Sequence, residues 1–298
     1  MKMAGILCAM IFCLIWRSCV NRSGITMTAI SQEQAIEIRR TILQQFHQLC
    51  EKHNLRYSLA YGTLLGAVRH GGMIPWDDDI DLVMPREDYE TLCGLYPAND
   101  CKDRYQFVCN RNHPELKTKI GYFIDYTTIT ETAGKTPEYH GIHIDVYPLD
   151  IMPNDAEERK ALLWQRKVLH RLIRLKDLHP QIMKGSQKLI RYAVQMLISP
   201  IRVEKVYARL HALAGKWQNM PEAERKEVCC LVEEGAAIVF PYDVTKEYAF
   251  YPYDGCEYPS FKDYDAPLRA WYGDYMQLPP ESERVRVQNK WIRYYEKG

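Results

Sequence analysis

Residues Tyr61 to Asp81 read YGTLLGAVRHGGMIPWDDDID, and four carboxylates, Asp77, Asp78, Asp79 and Asp81, fall within five positions of one another. Carboxylates that close repel each other, and burying any of them unpaired is costly. A divalent cation is the simplest compensation. Mg²⁺ takes hard oxygen ligands and shares them with substrate phosphates, and Mn²⁺ is its natural substitute. Asp79 and Asp81 alternate along DIDLVM (79–84), an expected strand, so both face one side. Asp145 sits in an apolar strand, Ile144-Asp145-Val146, where a lone charge is hard to explain, and it is the natural third carboxylate. An isolated pair of acids with this spacing more often caps a turn or pairs with arginine. What favours a metal is the glycine-hydroxyl pair upstream and the strand aspartate downstream.

That pair is Gly62-Thr63. A glycine between a strand and a helix lets backbone N–H groups approach a phosphate, and a helix N-terminus favours the anion; the plain alternative is an ordinary tight turn. Arg69, before Gly71-Gly72, suits a bidentate phosphate clamp, and its neighbour His70 reads equally well as a surface histidine. Lys119, at the head of the segment ending in Thr127-Thr128, is a second phosphate candidate. Asp77 and Asp78 flank the metal pair. They suit a second cation, a cationic head group held by Asp77 beside the Trp76 ring, or simple turn capping.

The elements that position these residues follow from periodicity. Ser31 with Gln34 forms a capping box that opens a helix to about His53, carried by Ile38, Ile42, Phe46 and Leu49. Leu55–Tyr61 alternates as a strand, Thr63–Arg69 is a short helix, and Pro85 opens a helix through about Leu95. Strands are expected at Tyr105–Cys109, Ile120–Ile129 and Gly141–Tyr147, the last bounded by Pro148. Helices are expected at 154–178, 185–198 and 202–219, and the segment 236–280, rich in Tyr, Pro and Asp, reads mostly as ordered loop. The composition shift near Asp150 divides the chain into a mixed catalytic core, 27–150, and a helical extension, 151–298. The tail at 264–280 is expected to return to the core.

Of 298 residues, 47% are hydrophobic and 26% charged, enough for a full core, and a net charge of +1 argues against a nucleic-acid partner. The 21 tyrosines offer ring faces to a cationic or sugar ligand. Ten cysteines include no CxxC pair, so the usual zinc spacings are missing and free thiols in a reducing compartment are expected. Ala4–Trp16 is apolar but shorter than the roughly 20 residues of a spanning helix. Residues 1–26 therefore read either as sequence upstream of a natural start at Met27 or as a short anchor to a membrane surface.

YGTLLGAVRHGGMIPWDDDIDLVMPREDYE (61–90) resembles the signature of the LicD family, which includes the fukutin-type proteins. GIHIDVYPLD (141–150) looks like its third-carboxylate strand, YDAPLRAWYGDYMQLPP (264–280) like its C-terminal motif, and KIGYFIDYTT (119–128) is a looser match. The resemblance runs from about Met27 to Pro280. It implies an α+β nucleotidyltransferase-like fold of the DNA polymerase beta superfamily, with a mixed sheet, flanking helices and a helical C-terminal extension. It implies transfer of a phospho-substituent, phosphocholine from CDP-choline by default, to a hydroxyl of a glycan or glycolipid such as lipopolysaccharide, teichoic acid or capsule. CDP-glycerol and CDP-ribitol are the alternative donors, and another nucleotidyl transfer or a non-catalytic binding module are the alternative functions. Carried over, Asp79, Asp81 and Asp145 are catalytic metal ligands for Mg²⁺ and Gly62-Thr63 is the phosphate turn. The expected location is the cytoplasm, at the inner face of the membrane. His143, and Gly121-Tyr122 after Lys119, depart from the family pattern.

Overall fold

The computed structural model describes residues 26–96, 103–113, 118–130, 141–177, 186–285 and 291–295. The apolar segment 4–16 lies outside them. Helix α1 (Gln32–His53) begins as its sequence dictates: Ser31 Oγ accepts from the Gln34 N–H at 3.2 Å while Gln34 Oε1 accepts from the Ser31 N–H at 2.9 Å. Its buried stripe, Ala35, Ile38, Ile42, Leu43 and Phe46, packs on the sheet together with Leu82, Met84, Ile144 and Val146.

The main sheet has seven strands. β2 (Ser58–Leu59), β3 (Asp81–Pro85), β7 (His143–Ile151), β5 (Gly121–Asp125) and β4 (Tyr105–Val108) lie side by side in that order. β8 (Glu227–Cys229) and β9 (Val239–Pro241) extend the sheet from the far end of β7. β3 and β7 run parallel and every other pair is antiparallel, so the sheet is mixed and the fold α+β. Between β2 and β3 lies α2 (Tyr61–His70), and α3 (Arg86–Leu95) follows β3 with Pro85 at its N-cap. A separate three-stranded sheet joins β1 (Thr26–Ile30), β12 (Trp291–Tyr295) and β6 (Thr128–Thr130), bringing the two described ends of the chain together. Helices α4 (Ala156–Asp177), α5 (Ser186–Ile198) and α6 (Val203–Ala214) match the expected helical run. No helix among the described residues is long and apolar enough to cross a membrane.

Four local expectations change. The strand expected over 55–61 shrinks to two residues because Tyr61, at φ 45°, already turns the chain into α2. Asp79 precedes β3 instead of lying in it. β7 continues through Pro148, which lies opposite Met84, and its last residues pair with β8. The expected strand 120–129 breaks at Asp125, whose carboxylate folds the chain by accepting from the Thr127 N–H and hydroxyl.

The segment 236–280 is far from loop. It holds β9, a hairpin of β10 (Tyr248–Tyr253) and β11 (Cys256–Phe261), and helix α7 (Asp265–Tyr272). The hairpin turns on Asp254 and Gly255, both at positive φ, as a two-residue primed turn requires. The Arg69 guanidinium of α2 donates to Tyr275 O at 2.8 Å. The six cysteines described are free, and Cys93 and Cys109 meet Sγ to Sγ at 3.4 Å, well beyond the roughly 2.05 Å of a disulfide.

Candidate active site

Asp81 opens β3, and in the parallel register with β7 its partner is Asp145. In-register neighbours lie about 4.8 Å apart with side chains on the same face, so pairing alone sets two carboxylates side by side. Tyr122 of β5 stands opposite Asp145 on its other flank. The Asp81 N–H donates to the buried Thr63 Oγ1 at 2.8 Å, which fastens the head of β3 to α2. Thr63 thus serves the strand that carries the carboxylate.

Asp77, Asp78 and Asp79 gather just before β3, each offering an oxygen within 4.8 Å of the others. The Asp77 N–H donates to Ile74 O and the Asp78 N–H to Asp77 Oδ1, which curls the segment. The compact cluster is therefore Asp77–Asp79, while sequence reasoning grouped Asp79, Asp81 and Asp145; Asp79 belongs to both sets. Electrostatics joins the sets. Burial pushes Asp145 up to about 7, with the charge of Asp79 adding to it and Arg39 and Tyr147 opposing. Burial and Asp79 likewise push Asp77 up to about 7. Asp81 is raised well above the usual range by burial and then by Asp79, Asp145 and Asp77. These are carboxylates that strain to ionise together in the absence of a cation.

Three residues missed in the sequence complete the surroundings. Arg39, 4% exposed on α1, is lowered by burial while Asp78, Asp79, Asp145 and Asp77 pull it back up, which makes it the buried cation that faces the acids. Glu233, after β8, accepts from the Tyr61 hydroxyl, and its charge is felt by Asp81. Arg166 of α4 holds that loop by donating to Leu231 O, Gly235 O and Glu233 O. The third is Tyr272, whose hydroxyl is raised by burial and then by Asp81, Asp77 and Asp79. The Tyr61 ring packs 4.4 Å from Trp271 and 5.2 Å from Tyr147, which binds α7 to the same face.

The other expected residues fall around this centre. Gly62 lies in the first turn of α2 instead of between strand and helix; it is Tyr61 that makes the turn. Its missing Cβ leaves room for Asp77, since a Cβ would meet Asp77 Oδ2 at 2.4 Å. Trp76 precedes Asp77 and contacts His70 at 6.0 Å between ring centroids. Lys119 is engaged by Glu234, a carboxylate that Lys119 and Arg174 hold down to about 2. The departure at His143 also lands here: its Nε2 lies 3.5 Å from Asp145 Oδ1, with Nδ1 against Gly141 O at 2.7 Å.

The family model described as the LicD/FKTN/FKRP nucleotidyltransferase domain matches residues 54–180, a span that contains β2, β3, β7 and every aspartate above. Over that span the chain is similar to the LicD family. It is 26% identical over 261 residues to the lipopolysaccharide cholinephosphotransferase LicD of Haemophilus influenzae, covering 82% of this chain and 90% of that protein. An uncharacterised protein of Rickettsia prowazekii is 44% identical over 130 residues, 40% of this chain and 47% of its own. A ribitol 5-phosphate transferase of Homo sapiens is 55% identical over 38 residues, 13% of this chain and 8% of its own.

Proposed function

We propose that this chain is a LicD-type phosphotransferase that moves phosphocholine from CDP-choline to a hydroxyl of a cell-surface glycan or glycolipid, with Mg²⁺ as its metal. The observation that carries the reading is the in-register pair Asp81–Asp145, with Asp79 pressing on both. The relation to a lipopolysaccharide cholinephosphotransferase over most of both chains supports the choice of phosphocholine as the group transferred. On this reading 27–150 is a nucleotidyltransferase-like core and 151–298 its extension, whose β8 and β9 add to the sheet of the core, and the work is done at the inner face of the membrane.

The donor set suits Mg²⁺: several carboxylate oxygens and mutual repulsion that a cation would relieve. Asp79, Asp81 and Asp145 would hold it, with Asp77 beside them. Bound there, the ion would neutralise charge on the donor's phosphates. The acceptor oxygen attacks the phosphorus that bears choline, a new P–O ester bond forms, the bond to CMP breaks, and CMP leaves with the electron pair. The hydroxyl proton passes to Asp145, the carboxylate on this reading beside the attacking oxygen. Arg69 steadies the phosphates, Thr63 fixes Asp81, and Arg39 keeps one positive charge behind the acids.

A second reading, ribitol phosphate transfer from CDP-ribitol, draws on the short stretch shared with the human ribitol 5-phosphate transferase. The test incubates purified protein and Mg²⁺ with CDP-choline, CDP-ribitol or CDP-glycerol and an acceptor extract, and follows nucleotide release. CMP released fastest from CDP-choline supports the first reading and preference for CDP-ribitol the second. Metal binding without turnover of any donor would leave a binding module.

A further inference from the structure

Beside the aspartates lies a cationic-aromatic cluster that the reaction as written does not fully use. The Arg284 guanidinium lies 5.4 Å over the Trp76 ring, and Trp76 directly precedes Asp77. Arg69 reaches the same segment through Tyr275 O at 2.8 Å, and Arg284 folds back on Pro279 O at 2.8 Å. Among the described residues neither guanidinium has a carboxylate partner; each is steadied by a main-chain carbonyl instead. Arg69 Nε also donates to His70 Nδ1 at 3.4 Å, and the His70 ring lies 6.0 Å from Trp76, so both guanidinium groups gather around one indole, where the charge of Arg284 is felt by Arg69. Tyr272 links the clusters, because its hydroxyl feels the aspartates on one side and raises Arg69 on the other. Two guanidinium groups gathered on one indole, with no carboxylate partner among the described residues, suit an anion between them. A planar guanidinium braced on an indole is preorganised for phosphate oxygens.

We propose that Arg69 and Arg284, braced on Trp76 and flanked by Tyr272, form a phosphate-binding subsite that seats the nucleotide phosphate of the donor. The assignment deepens the phosphotransfer reading and rests on it for the choice of a nucleotide. It adds Arg284, from the C-terminal segment, to the donor site. It also separates two phosphate positions: the one bearing choline over the aspartates, and the leaving nucleotide's phosphate over the arginines.

Calorimetric titration with CMP, inorganic phosphate or a phosphorylated glycan fragment, in EDTA, tests it on wild type, Arg284→Ala and Arg284→Lys, with circular dichroism to verify the fold. Loss of a charge-assisted contact predicts CMP affinity weakened about tenfold or more in Arg284→Ala and partly kept in Arg284→Lys. The donor KM should rise in step while kcat changes less. CMP affinity within about twofold of wild type in Arg284→Ala, or weakening confined to the glycan fragment, would overturn the assignment. If no CDP-linked donor is turned over and CMP binding still depends on Arg284, the functional reading fails and the subsite stands. Turnover with an unmoved donor KM fells the subsite alone.

Discussion

Gly62 shows how one missing atom shapes the acidic centre. The position has no positive φ to explain it; what glycine provides is space, since a Cβ would sit 2.4 Å from Asp77 Oδ2. Asp77 ends a flexible side chain and can swing away, so Gly62→Ala should cost function more than stability. We expect turnover to fall about tenfold or more, as small misplacements at a reacting centre do, with little change in melting temperature. Wild-type turnover in Gly62→Ala would mean that Asp77 is idle. Asp79, Asp81 and Asp145 were legible as residue types at a telling spacing. Arg39 was legible in principle, as a charged residue on the buried stripe between Ile38 and Ile42. Glu233 was not: CCLVEEGA carries no signal, and only the fold of the loop aims that carboxylate at Tyr61.

Among the elements, those with long periodic patterns were read best, α1 and α4 to α6 within a few residues of their ends. The hairpin β10–β11 was missed although Asp254-Gly255 is a strong local turn signal; the prolines and tyrosines around it read as loop. Pro148 reads as a stop for β7, whereas tertiary pairing with β3 and β8 carries the strand on. The loop after β8 hangs on Arg166, buried at 5% exposure and spent on three main-chain carbonyls. Removing it strands those acceptors, so Arg166→Ala should destabilise by about 3 kcal/mol in urea unfolding. The loss should be accompanied by lower turnover as Glu233 leaves Tyr61. A change below about 0.5 kcal/mol would place the loop's support elsewhere.

For the whole molecule, the near-neutral net charge hides a local excess of acid, and that excess governs the pH response. In metal-free protein burial and the neighbouring acids push Asp77 and Asp145 up to about 7 and hold Asp81 well above the ordinary carboxylate range, whereas in the unfolded chain all three lie near the ordinary value of 3.8. The folded state therefore binds the extra protons, and its stability falls as pH rises through 7. Two buried histidines oppose this at lower pH. Burial and nearby cations hold His170 down to about 4 and His211 to about 3, so their contribution is lost as pH falls below 6.5. The range from about 6.5 to 8 belongs to the carboxylates. Melting temperature in EDTA should drop across it, and added Mg²⁺ should restore it at pH 8. A rise with pH in EDTA would contradict the account.

The most direct test of the metal-carboxylate centre is CMP release from CDP-choline by wild type and Asp81→Asn, side by side, with and without Mg²⁺. The variant keeps the main-chain bond to Thr63 and puts a neutral amide where burial and neighbouring acids disfavour a charge, so it should fold and melt no lower than wild type in EDTA. Its Mg²⁺-dependent turnover should fall about a thousandfold, because metal-borne charge stabilisation is worth several kcal/mol. A folded Asp81→Asn that releases CMP at the wild-type rate, or a wild type indifferent to Mg²⁺, would contradict it.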